Sequence, residues 1–96
     1  MQEIKSHALF SLGQIVATPG ALTALEKAGQ NPLDFLSRHA RGEWGDLCEE
    51  DCKENVLSLE QGFRLLSRYT TSAGDALYVI TEADRTVTTL LLPEEY

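Results

Sequence analysis

Cys48 and Cys52 stand four residues apart, and on a helix that spacing turns both thiols to one face, half of a zinc site that His39 or His7 could extend. Structural zinc takes four ligands from compact pairs, and the chain has no second C-x₂₋₄-C and no H-x₃₋₅-H. The two cysteines are therefore read as free thiols, buried or half-buried on the apolar side of a helix. An i, i+4 disulfide on a helix is geometrically awkward, and a reducing compartment keeps both thiols reduced. His39, near the end of the second expected helix, suits the negative pole of that helix better than it suits catalysis. No pattern brings Ser or Cys, His and a carboxylate together as a nucleophilic unit. G-x-x-x-x-G-K-[ST], G-x-G-x-x-G and the D-x-D-x-D-G calcium loop are all absent from the sequence. No catalytic residue, metal or cofactor is expected, and a small enzyme is the remote alternative.

The carboxylates carry a stronger signal. Between Glu43 and Glu60 stand seven acids (Glu43, Asp46, Glu49, Glu50, Asp51, Glu54 and Glu60) and one base, Lys53, so this stretch holds −6 of the net −7. A field of one sign favours encounter with positive surfaces and repels nucleic acid, and salt weakens it. One reading is a docking face for a protein partner with a basic surface, imitating the phosphates of a nucleic acid. The other is a solvated helix whose N-terminal acids complement the dipole and keep the protein soluble. Trp44, the only tryptophan, is either an interface anchor beside this stretch or the closure of a small core. The candidate partner-binding residues are thus Glu43, Trp44, Asp46, Glu49, Glu50, Asp51 and Glu54. Direct nucleic-acid binding is disfavoured by the acidic balance, with a pI near 4.6.

These residues need a scaffold, and the hydrophobic periods describe one. Ala8–Ala17 reads as a strand with β-branched residues at its centre, and Gly13 marks a bulge within it. Thr18-Pro19 is an N-cap followed by proline at the first helical position, so a helix is expected over Pro19–Ala28, burying Leu22 and Leu25 and ending at Gly29. Asn31-Pro32 repeats the signal for a helix over Pro32–Arg41, with Leu33, Leu36 and Ala40 on one stripe. Asp46 is placed to cap a third helix over Leu47–Leu57, whose apolar side would be Leu47, Cys48, Cys52, Val56 and Leu59. The period then changes to two: Phe63–Thr70, Ala76–Thr81 and Thr86–Leu92 read as strands of a meander. The turn Glu82–Arg85 is read as holding a local ion pair, with Arg85, Arg64 and Arg68 as the alternative basic counter-face.

The fold class expected is α+β: one domain over residues 1–96, an antiparallel sheet made of an N-terminal strand plus a C-terminal three-stranded meander, and about three short helices on one face. At 96 residues the chain is long enough to bury a core without staples. Met1–Leu12 has no apolar run of signal-peptide or membrane-span length, so a cytoplasmic protein without membrane contact is expected.

Three segments carry a resemblance: residues 13–22 (GQIVATPGAL), Trp44-Gly45-Asp46-Leu47, and residues 80–96 (ITEADRTVTTLLLPEEY). Together they resemble a family of short bacterial proteins, called plasmid-related proteins, of plasmids, integrative elements and phages. Some members are labelled a modification subunit of a type I restriction enzyme, but methyl transfer would need a far longer domain with a Gly-rich cofactor loop. The family has no established catalytic residues to carry over. The resemblance implies a setting among the accessory genes of mobile genetic elements. The expected function is accordingly a non-enzymatic partner-binding accessory protein, in its sharpest form an inhibitor of a host defence nuclease (restriction or CRISPR) docking through the acidic helix. The alternative is a regulatory or antitoxin-like module of the element, homodimeric through an open sheet edge.

Overall fold

Residues 8–96 are described by the computed structural model. Chain order is β1 (Gln14–Ala17), α1 (Pro19–Ala28), α2 (Pro32–Ala40), α3 (Glu49–Gln61), β2 (Leu65–Thr70), β3 (Ala76–Thr81) and β4 (Val87–Leu91), then a 3₁₀ turn over Pro93–Glu95. The fold is α+β, and the four strands lie in the order β1-β4-β3-β2. The meander pairs antiparallel, with Leu65 opposite Thr81 and Tyr78 opposite Leu91. β1 joins it parallel to β4, Gln14 opposite Val87 and Ala17 opposite Leu90, so the sheet is mixed rather than wholly antiparallel. The reason is the crossover: three helices separate β1 from the meander, and a connection of that length lets the strand enter alongside the last one.

Local chemistry sets the first two helices. Thr18 Oγ1 accepts from Ala21 N–H at 3.1 Å, Pro19 occupies the first turn, and Gly29 closes α1 in the left-handed region. Asn31 Oδ1 accepts from Leu33 N–H while Asp34 accepts from Asn31 N–H, a reciprocal pair that starts α2. The core is Ala21 and Leu25 from α1, Phe35 and Leu36 from α2, and Tyr69, Leu77, Val79 and Leu90 from the sheet. Leu22 and Leu33, expected inside, are 52% and 65% exposed. The buried stripe of α1 is Ala21, Ala24 and Leu25 at i, i+3 and i+4, which turns Leu22 outward.

The third helix departs furthest from expectation. It begins at Glu49, with Cys48 at the N-cap and no side-chain capping bond. Asp46 is not its cap; its N–H donates to Arg68 C=O and its carboxylate accepts from Thr70 Oγ1 at 2.8 Å. The buried residues of α3 are Asn55 and Ser58, while Val56 and Leu57 are exposed. α3 therefore adds no apolar side chain to the core under α1 and α2. Asn55 bonds both main-chain groups of Leu66, donating to its C=O at 2.7 Å and accepting from its N–H at 3.1 Å. Beside it, Gly45 bridges Arg68, whose N–H donates to Trp44 C=O. The outer edge of β2 is thus covered by the chain itself. Gly45 has φ +79°, and a Cβ there would run into the Arg68 carbonyl, so only glycine fits. Gly13 meets the Thr86 carbonyl in the same way at φ +66°, a close approach rather than the expected bulge.

A candidate docking groove beside the third helix

A groove of about 370 Å³ opens between α3 and the end of the meander. Asp51, Glu54, Asn55 and Ser58 form one wall. Their spacing of i, i+3, i+4 and i+7 is a single helical stripe. Leu66 and Ile80 lie in the sheet beneath, with Phe63, Arg64, Tyr96 and Leu47 around them. Asn55, held on Leu66, fixes the height of the helical wall above the sheet. The opposite wall is organised by aromatic contact. The Tyr96 ring meets the Tyr78 ring edge-on at 5.7 Å, and the Arg64 guanidinium lies 5.5 Å from the Tyr96 centroid and donates to its hydroxyl. Arg64 is therefore engaged by Tyr96 rather than by Asp51 or Glu54. Among the described residues, the ion pairs are Lys27 with Asp75, and Glu43 with Arg38 and Arg41.

The seven candidate residues separate in space. Asp51 and Glu54 face the groove; Glu49 and Glu50 are exposed in the first turn of α3, where their charge complements the helix N-terminus. Glu43 is paired with Arg41 at 3.0 Å and with Arg38 at 3.8 Å, and Asp46 is held by Thr70. Trp44 is 8% exposed and packs on His39 and Phe10 at ring distances of 5.7 and 6.3 Å, so it closes the core and offers no exposed anchor. Phe63 and Tyr96 carried no expectation from the sequence and Arg64 only that of a basic counter-face; the available signal was an aromatic at each end of a strand-rich segment with an arginine next to one of them.

The cysteines, His39 and Arg85 lie outside the lining of the groove. Cys48 is exposed, against the expectation of a covered thiol, and Cys52 is half-buried. Among the described residues no group of three or more His, Cys, Asp or Glu could hold a metal ion. His7 lies outside the described residues. His39 is fully buried and does not serve the helix pole: Nδ1 meets Ser67 Oγ at 2.5 Å and Nε2 meets Thr81 Oγ1 at 2.9 Å. Thr81 continues to Thr88, which donates to Leu12 C=O. Burial lowers the His39 pKa from 6.5 to about 4. Ser67 is itself fully buried, so this Ser–His contact has no substrate access. Arg85 forms no turn ion pair. Its guanidinium donates to the carbonyls of Ser58, Phe63, Glu82 and Ala83, joining the β3–β4 turn to the end of α3. Asp84 instead accepts from Thr86, and those bonds lower its pKa.

No family model, curated protein or solved structure matches the chain. Among the described residues no helix is long and apolar enough to cross a membrane.

Proposed function

We propose that the protein is a non-enzymatic binding protein that captures a basic partner in the groove beside α3. The observation that carries this reading is the helical wall: Asp51 and Glu54 sit over apolar Leu66 and Ile80, and no ion pair among the described residues involves either carboxylate. A lysine or arginine fits such a place twice over, its aliphatic stem on the apolar floor and its charged head at the carboxylates. Glu49, Glu50 and Glu60 extend the same field along the helix and steer encounter.

The resemblance to plasmid-related proteins of mobile elements supplies the setting. In that setting the partner is a host defence nuclease, and the basic surface engaged is its nucleic-acid channel. Affinity capture from cells that carry both the element and such a nuclease tests the reading. Capture is expected to fall at least tenfold in the Asp51→Lys/Glu54→Lys variant, and also in about 0.5 M salt, where the Debye length is about 4 Å. Glu26→Lys, a charge reversal on α1, is the control and should leave capture intact. Retention of the same partner by the double variant and in high salt would overturn the proposal.

A further inference from the structure

The two edges of the sheet are treated differently by the chain. β2 is sealed by Gly45 and Asn55. β1, at the other end of the strand order, has no neighbour beyond it among the described residues. Gln14 N–H donates to Thr86 C=O and Thr18 N–H to Leu90 C=O. The strand period of two therefore turns the main-chain groups of Gln14 and Val16 toward β4 and those of Ile15 and Ala17 outward. Ile15 is 41% exposed and Val16 39%. No Asp, Glu, Lys or Arg occurs anywhere from Ala8 to Leu25, in a chain whose net charge is −7. Edge strands that stay unpaired are normally blunted by charge, proline or a covering segment; β1 holds no charge or proline within its span, and no covering strand lies beside it among the described residues.

We infer that β1 pairs with β1 of a second copy of this chain, antiparallel about a two-fold axis at Val16, joining the two sheets into one of eight strands. A two-fold edge contact is necessarily antiparallel. With the axis at Val16, the outward amides and carbonyls of Ile15 and Ala17 face those of Ala17 and Ile15 in the second copy, giving four main-chain hydrogen bonds. Val16 meets its own counterpart in the close, non-hydrogen-bonded position, where β-branched pairs pack well. The charge distribution favours this edge over any other for self-association. α3 is fastened beside β2, the far strand, so the two acidic helices end up at opposite ends of the joined sheet. Seven strand spacings separate the outer strands, about 34 Å, several times the Debye length of about 8 Å at physiological salt. Two molecules of charge −7 thus meet through their uncharged ends. The dimer does not rest on the docking proposal; it presents two copies of the groove facing away from the contact.

Mass in solution, followed by light scattering or sedimentation equilibrium across micromolar to submillimolar concentrations, tests it. The full chain is expected to approach about 21 kDa, twice the 10.6 kDa of one copy. Val16→Lys places two like charges at the axis, and Ile15→Pro removes an outward N–H that β4 does not use; both should return the mass to that of one copy with an unchanged circular dichroism spectrum. Hydrogen exchange gives a readout that needs no variant: the Ile15 and Ala17 amides should be slowed in the concentrated protein and released on dilution. A single-copy mass throughout the range, a doubled mass that both variants leave intact, or exchange at Ile15 and Ala17 indifferent to concentration would each overturn the inference. Asp51→Lys/Glu54→Lys should leave the mass unaltered, which separates this outcome from that of the docking test.

Discussion

His39 is buried with a hydroxyl on each ring nitrogen, Ser67 on one side and Thr81 on the other, so its charged form would have neither water nor a counter-charge. With the folded pKa near 4 and the unfolded one at 6.5, the unfolded chain binds the proton first as pH falls. Stability should therefore be unaffected by this group above about pH 6.5 and decline by about 3 kcal/mol in all between pH 6.5 and 4. Urea unfolding at a series of pH values measures the slope. The His39→Gln variant, which keeps polar atoms but cannot titrate, is expected to lose that limb while the carboxylate contribution nearer pH 4 persists. An unchanged slope in the variant would contradict the assignment. Nothing in the sequence around His39 announced this role. A histidine in the last turn of a helix reads as a dipole partner, and the hydroxyls that bury it come from strands 28 and 42 residues away. Trp44 is a related case: packing on His39 and Phe10 decides that it is core, and the Phe10 contact joins residues far apart in sequence.

At the scale of elements, local chemistry predicted most of what was built. Thr18-Pro19 and Asn31-Pro32 start α1 and α2 where expected because a cap is a short-range device. The period-two segments likewise became β2, β3 and β4 with their ends trimmed. α3 is the exception to its hydrophobic pattern. Its apolar residues, Val56 and Leu57, face outward, and its buried stripe is polar because the surface it meets is the main chain of an edge strand. A hydrophobic period cannot reveal a helix whose role is to satisfy a strand edge. Asn55 is the residue to test: Asn55→Ala leaves the Leu66 N–H and C=O without their partner and should cost about 1–3 kcal/mol. For a domain of about 100 residues that is a fall in Tm of at least about 4 °C by calorimetry. Gly45→Ala, strained at φ +79° and driven into the Arg68 carbonyl, should destabilise at least as much. If both variants melt with the native protein, the sealed edge is not what holds α3 in place.

For the molecule as a whole, the strand order β1-β4-β3-β2 separates two surfaces of opposite character. One end is the uncharged edge at Ile15 and Val16; the other is the acidic α3 with its groove. The charge concentrated between Glu43 and Glu60 was legible from the sequence, but its division was not. Glu43 and Asp46 are held by Arg41 and Thr70, Glu49 and Glu50 sit at the helix start, and Asp51 and Glu54 alone line the groove. That division required knowing which stripe of α3 faces the sheet. It also supplies an internal contrast for the proposal that Asp51 and Glu54 capture a basic partner. The most direct measurement is the affinity of the captured partner for three proteins: the native chain, Asp51→Asn/Glu54→Gln, and Glu49→Gln/Glu50→Gln. Both variants lose the same charge, so a general field effect would weaken them equally. Substitution of the groove-facing pair is expected to weaken binding at least tenfold, clearly more than substitution of the outward-facing pair. Equal loss in the two variants, or none in either, would contradict it.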